Sequence, residues 1–246
     1  MRMKYTTVLP LPADLGGFKV FFNAAAVRYD GGLVLVDVGF PGFLQILEET
    51  MASAGLKLAD VKKIVITHCD GDHAGGLKAV VDRYPGIEIL SSAQQAAYLT
   101  GKEENPRIRA AEKRYAACVT EEEKKAVADD IDRLKGQETV GKVTAAKDGQ
   151  SLDGGIEIIE VAGHMPGHVC VYVKADKVLI SGDALTSDNG RLCPPSEMFT
   201  LDMPAAISSL EKLLDYDIEQ ILCYHGGLVT GNIRQRLKEV IDNYKK

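Results

Sequence analysis

The 246-residue sequence predicts an α/β fold. The expected form is a four-layer αββα sandwich, two sheets face to face with helices outside, carrying one helical insertion at about residues 95–137. Three observations lead there. Asp60-Val61-Lys62-Lys63-Ile64-Val65-Ile66-Thr67-His68 reads acid, apolar, two polar, three strand residues, a spacer and a histidine. Asp217-Ile218-Glu219-Gln220-Ile221-Leu222-Cys223-Tyr224-His225 repeats that pattern position by position. A second echo pairs Leu33–Asp37 with Val178–Asp183, both apolar strands that end on an aspartate. Two similar halves, each strands followed by helix, bury their faces by packing sheet on sheet beneath helices. Residues 1–246 are therefore expected to form a single domain.

Each element has its own signal. Leu33-Val34-Leu35-Val36 is a short apolar run of strand length. After Pro41, the residues Phe43, Leu47 and Met51 recur at helical spacing and are expected to face the core. The run to Ile66 is a buried strand that delivers His68 to a loop. The insertion opens at Asn105-Pro106, where proline suits the first helical position. Ile108, Ala111, Tyr115 and Cys118 follow at helical spacing. Thr120 and Glu123 form a capping-box signature ahead of Val127, Ile131 and Leu134. From Gly101 to Gln137, 18 of 37 residues are charged, nine of each sign, so both helices are expected to have a wet outer face. The insertion reads as a spacer between the two halves: a lid, a homodimer contact or a solvated decoration. Val178–Asp183 and Ile218–His225 then supply the strands of the second half.

Composition narrows the function. With 46% hydrophobic and 26% charged residues, the chain can build a substantial core. Its apolar runs fall far short of the roughly 20 residues that span a bilayer, so no membrane partner is expected. The net charge of −6, with no concentration of Lys and Arg, argues against nucleic acid. Five cysteines without paired spacing, and an N-terminus without an apolar signal region, make a cytoplasmic location the expectation.

The chemistry concentrates in the histidines. All five (His68, His73, His164, His168 and His225) sit in loops beside apolar strands. In Thr67-His68-Cys69-Asp70-Gly71-Asp72-His73-Ala74-Gly75-Gly76, four potential ligands fall within six residues. Such crowding is costly unless a cation compensates it. Gly163-His164, Gly182-Asp183 and His225-Gly226 bring further candidates, each beside a glycine that permits a tight turn.

The ordered set His68-x-Asp70-x-Asp72-His73, His164, Asp183 and His225 resembles the signature of the metallo-β-lactamase superfamily. Asn23 and Asp37-Val38-Gly39 are similar to that family's opening strands, so the resemblance spans the chain apart from the insertion. It implies two divalent metal ions, zinc before iron or manganese. His68, Asp70 and His164 would hold the first, Asp72, His73 and His225 the second, with Asp183 bridging. It implies hydrolysis, in which a metal-bridging hydroxide attacks a small ester-type substrate: a lactone, thioester or phosphodiester. Asp72 would orient the water or relay its proton, and Tyr224 could donate to the oxyanion. His168 matches no family ligand and reads as a loop histidine near the site entrance. Asp37 reads as the support of a ligand imidazole.

One position departs from the family's usual HxHxDH motif: residue 70 is aspartate rather than histidine. Two divalent ions bring four positive charges. Asp70, Asp72, Asp183 and a bridging hydroxide bring four negative ones, so the centre is expected to be neutral rather than cationic. That should weaken Lewis acidity and make iron or manganese competitive with zinc. Two rival functions follow. One is a redox metalloprotein similar to flavodiiron proteins, which carry glutamate at the matching position; with no flavodoxin-like segment after His225, it would need a separate reductase. The other is a metal-binding sensor or scaffold without catalysis. The segment Leu192-Cys193-Pro194-Pro195 is a candidate pocket lining.

Overall fold

Alternating side chains in the strands divide the core into three layers, and that division fixes the architecture. The computed structural model describes residues 3–244. In β2 (Phe18–Tyr29), Ala24 and Ala26 face one side while Ala25 and Val27 face the other. In β3 (Gly32–Val36), Leu33 and Leu35 point outward, Val34 and Val36 inward. The inward residues meet Val169, Val171 and Val173 of β9 (Val169–Val173), whose Cys170 and Tyr172 face the far side. Period-2 alternation with both faces apolar is what a sheet covered on both sides requires.

The first sheet runs in order from β1 (Thr6–Leu15) through β2, β3, β4 (Val61–Val65) and β5 (Glu88–Ser92) to β6 (Thr144–Ala146). The second runs from β7 (Gln150–Leu152) and β8 (Ile156–Glu160) through β9 and β10 (Val178–Gly182) to β13 (Gln220–Cys223) and β14 (Gly227–Thr230). A small hairpin, β11 (Thr186–Asp188) with β12 (Arg191–Cys193), stands apart. The internal repeat is visible in the pairing. β3, which leads to Asp37, lies parallel to β4, which leads to His68. β10, which leads to Asp183, lies parallel to β13, which leads to His225.

Helices cover the outer faces. Leu47 and Met51 of α1 (Leu44–Ser53) are fully buried, with Phe43 partly buried against the same cluster. The short α2 (Gly71–Ala74) and α3 (Leu77–Arg83) add His73, Ala74, Leu77 and Val80, and α4 (Ala93–Leu99) adds Leu99. On the second sheet, Ile207 of α7 (Met203–Ser209) packs with Ile233, Leu237, Val240 and Ile241 of α8 (Ile233–Tyr244). The αββα sandwich is thus as expected.

The insertion differs in place from the expectation. Its helices, α5 (Pro106–Ala117) and α6 (Glu121–Lys135), lie between β5 and β6, which pair in parallel within the first sheet. It is the crossover connection of that pair rather than a spacer between halves. Asn105 caps α5 by accepting from the Arg107 N–H at 2.9 Å, and Thr120 with Glu123 forms the capping box of α6. Ile108 and Ala111 are buried, whereas Tyr115 is exposed and α6 has no fully buried residue. Among the described residues no helix is long and apolar enough to cross a membrane.

Candidate metal centre

The ligand-bearing loops all leave the same end of the two sheets, where rigid strands set their positions. Asp37 follows β3, with φ of 60°, a left-handed conformation that aspartate tolerates. His68 follows β4. Asp70 stands at the N-terminus of α2, and Asp72 and His73 lie on it. His164 belongs to the loop between β8 and β9, Asp183 follows β10, and His225 follows β13. Gly182 holds φ of 50°, and a Cβ there would meet His168 Nε2 at 2.8 Å and Thr67 at 2.9 Å. Only glycine lets the backbone turn Asp183 inward at that point.

Two trios form. The ligand atoms of His68, His164 and Asp183 lie within 4.8 Å of one another, as do those of Asp72, His73 and His225. Asp183 joins them: its carboxylate is 3.5 Å from His164 Nε2, 3.3 Å from His73 Nε2 and 3.3 Å from His225 Nε2. Asp72 is 3.2 Å from His225 Nε2. Six of the seven expected ligands thus make up the two trios, and the seventh, Asp70, lies beside the first with its Oδ2 3.2 Å from His68 Nε2.

The surrounding hydrogen bonds turn the imidazoles. Asp37 accepts from the Thr67 N–H and Thr67 Oγ1, each at 2.8 Å, and from His73 Nδ1 at 2.7 Å. With its own proton given to Asp37, Thr67 Oγ1 accepts from His68 Nδ1 at 3.1 Å. Thr200 Oγ1 donates to the Ser196 carbonyl and so accepts from His164 Nδ1 at 3.3 Å. Each of these three rings then turns its Nε2 towards the centre. His68 Nε2, His73 Nε2 and Asp183 Oδ1 are buried with no hydrogen-bond partner among the described residues. Buried polar atoms rarely stay unpaired, and three converging on one point suit cations. By this test the donor set fits metal ions.

The electrostatics agree. Burial alone would discharge His73, but the surrounding Asp183, Asp72 and Asp37 carboxylates outweigh it and hold its pKa well above the ordinary value. Burial likewise opposes charge on His225, yet Asp183 and Asp72 raise it to about 9. Asp183 is held well below the carboxylate range by the imidazoles, against the cost of burial. In the centre as folded, the carboxylates demand positive charge that protons or metal ions can supply.

Three expectations change. His168 is not at an entrance: it is fully buried, and its Nε2 accepts from the Asp183 N–H at 3.1 Å. Burial, then its histidine neighbours, push it well below the usual imidazole value, so it supports Asp183 as a neutral ring. Tyr224 is also buried. Its ring stacks 3.8 Å from that of His73, and its hydroxyl donates to the Asp72 carbonyl rather than pointing at substrate. Cys193 and Pro194 border a surface hollow with Asn232, Arg236 and Tyr244, away from the ligand cluster.

Three residues at the centre escaped the sequence reading: Thr67 and Thr200, which turn the rings of His68 and His164, and Arg107. Arg107, at the start of α5, reaches the centre from the insertion. Its Nε donates to Asp70 Oδ1 at 2.9 Å and its Nη2 to Asp70 Oδ2 at 2.5 Å, a bidentate pair. Nη2 also stands 3.0 Å from His164 Nε2, and Nη1 donates to the Phe199 carbonyl. Burial costs Asp70 something, but His68, His164 and Arg107 hold its carboxyl well below the usual range. Asp70 is therefore neutralised by a protein cation, which the charge count had omitted. The available signal was indirect: an extra carboxylate in the ligand loop calls for a counter-charge, yet nothing in the charged insertion marks residue 107. Gln137 adds a second tie by donating to the Cys69 carbonyl at 2.8 Å, so the insertion is docked on the ligand loop. Cys69 itself is buried facing the core, its thiol pushed up chiefly by burial.

Comparisons with known proteins agree with this geometry. Residues 20–225 match the sequence profile of the metallo-beta-lactamase superfamily. The probable metallo-hydrolase YflN of Bacillus subtilis is 23% identical over 225 residues, covering 84% of this chain and 80% of that protein. The probable metallo-hydrolase YybB of the same organism is 26% identical over 211 residues, covering 85% and 80%. Among solved structures, the metallo-beta-lactamase family protein TTHA1429 from Thermus thermophilus superposes with a TM-score of 0.72 at 20% identity. That alignment covers 98% of this chain and 79% of TTHA1429.

Proposed function

Because this chain belongs to the metallo-beta-lactamase superfamily, we propose that its two trios hold two divalent metal ions and that the centre cleaves ester-type substrates. The protein is a metal-dependent hydrolase. The reading gives one ion to His68, His164 and Asp183, with Asp70 in reach, and the other to Asp72, His73 and His225, with Asp183 between them. When bound, such ions supply Lewis acidity and a water acidic enough to act as a nucleophile near neutral pH. The carrying observation is the convergence of three buried, unpaired atoms: His68 Nε2, His73 Nε2 and Asp183 Oδ1.

The chain's own groups divide the remaining work. Asp37, Thr67 and Thr200 fix the rings so that each Nε2 faces inward. Asp72, within 3.2 Å of His225 and partly exposed, is the group suited to accept a proton from the attacking water. Tyr224 acts as a positioning residue by holding the Asp72 backbone. Zinc is the favoured metal, since Arg107 removes the charge argument for harder ions. The substrate is a small molecule carrying a lactone, thioester or phosphodiester.

The test is a panel of aryl esters, lactones, acyl thioesters and bis-aryl phosphates, assayed after chelation and again after zinc is restored. Turnover that disappears with chelator, returns with zinc and is lost in Asp183→Asn supports the reading. Turnover indifferent to chelator would end it.

A further inference from the structure

We propose that Arg107 makes the two metal positions unequal by competing for the ligands of the first, so that the second position fills before it. The inference rests on the two-metal reading above and deepens it.

The argument begins with a lone pair. A neutral imidazole whose Nδ1 carries the proton has one acceptor site, at Nε2. The Nδ1 of His164 is engaged by Thr200 Oγ1, and its Nε2 faces Arg107 Nη2 at 3.0 Å. A metal ion on His164 would sit about 2.0–2.1 Å along the same direction. The two contacts exclude one another. Asp70 repeats the conflict, since both its oxygens accept from the guanidinium. Arg107 thus holds one lone pair of the first trio and one on each oxygen of the additional carboxylate beside it.

The second trio has no such rival. His73 and His225 Nε2 have carboxylates of Asp72 and Asp183 as their charged neighbours, at 3.2 to 3.7 Å. Among the described residues no Lys or Arg side chain is paired with Asp72, His73 or His225. Placing an ion there costs no existing bond to a guanidinium. Placing one in the first position requires Arg107 to leave His164 and shares Asp70 between two cations.

The geometry also shows what holds Arg107 in place. Its backbone N–H is capped by Asn105, and its Nη1 is spent on the Phe199 carbonyl in the segment that carries Thr200. The insertion therefore couples to His164 twice, once through the guanidinium and once through the segment supplying its Nδ1 acceptor.

The experiment is a calorimetric titration of metal-free protein with zinc chloride, comparing wild type, Arg107→Leu, and Arg107→Leu with Asp70→Asn. Thermal melts check that each variant folds. Wild type is expected to bind two ions with affinities at least about ten-fold apart. Arg107→Leu should tighten the weaker step by about ten-fold or more and leave the tighter step unchanged, and adding Asp70→Asn should remove the part of that gain that Asp70 supplies while leaving the part due to His164. Two steps of equal affinity in wild type, or both steps shifting together in Arg107→Leu, would overturn the inference while leaving the two-metal reading intact. A ceiling of one ion in wild type and in Arg107→Leu alike would overturn the two-metal reading, and the inference with it.

Discussion

Asp37 accepts the Nδ1 proton of His73 at 2.7 Å, so the carboxylate at the end of β3 aims an imidazole that belongs to α2, 36 residues later. Parallel pairing of β3 with β4 makes the meeting possible, because both strands release their chains at the same end. The bond fixes the ring and raises the basicity of the nitrogen that faces the centre. Asp37→Asn should lower zinc affinity about 10- to 100-fold with the fold intact. Equilibrium zinc titration against a competing chelator reads this directly. An unchanged affinity would mean that His73 is not a ligand or needs no support.

Tyr224 offers a sharper distinction. An oxyanion donor lost from an active site typically costs about 10²–10³ in kcat. The hydroxyl of Tyr224 is instead spent on the Asp72 carbonyl. Tyr224→Phe keeps the ring against His73, so turnover of a panel substrate should fall by less than about ten-fold and metal content should not change. A loss of about a hundred-fold in kcat with full metal content would restore the oxyanion role.

His168 supports Asp183 from behind, through an acceptor on the Asp183 N–H. His168→Ala leaves that buried donor unpaired, which costs about 1–3 kcal/mol. The urea midpoint should fall accordingly, and zinc affinity should weaken with it as Asp183 loosens. A variant as stable as wild type would show that the site can repack.

Asp176 ties the two sheets together at a distance from the centre. Its buried carboxylate accepts from the backbone N–H groups of Lys4, Tyr5 and Thr6 at 2.8, 2.9 and 2.7 Å. Burial works to raise its pKa, but these donors outweigh it and hold the carboxyl below its ordinary value. A group depressed in the folded state stabilises fully above its unfolded pKa, roughly 3.9 for aspartate, and that stability is lost as pH falls through the folded value. Asp176→Asn should therefore lower stability at neutral pH and flatten its decline below about pH 4. Denaturant melts at pH 7 and in the acid range check both parts. An acid limb as steep as that of wild type would assign the acid sensitivity elsewhere.

The candidate ligands were legible in the sequence because metal chemistry is strict about residue type and strand ends are strict about position. His68 and His225, and likewise Asp37 and Asp183, sit at matching points of two internal copies. The sandwich followed from the same repeat. What lay hidden was of another kind. β6 has three residues, too few to show a period, so the sequence does not reveal that the insertion crosses over within the first half. His168 precedes a strand buried along its whole length, and no local pattern distinguishes a buried wall from a rim. The Arg107–Asp70 pair joins residues 37 apart through tertiary packing alone, and the Arg107 charge changes the balance at the candidate metal centre.

The most direct test of the central claim is metal counting by mass spectrometry. Protein would be equilibrated with excess zinc and freed of unbound ions, with Asp183→Ala beside it as control. Two zinc ions per wild-type chain, falling to one or none in Asp183→Ala, is the result the account predicts. A wild-type chain that retains no zinc, or an Asp183→Ala chain that retains as much as wild type, would contradict it.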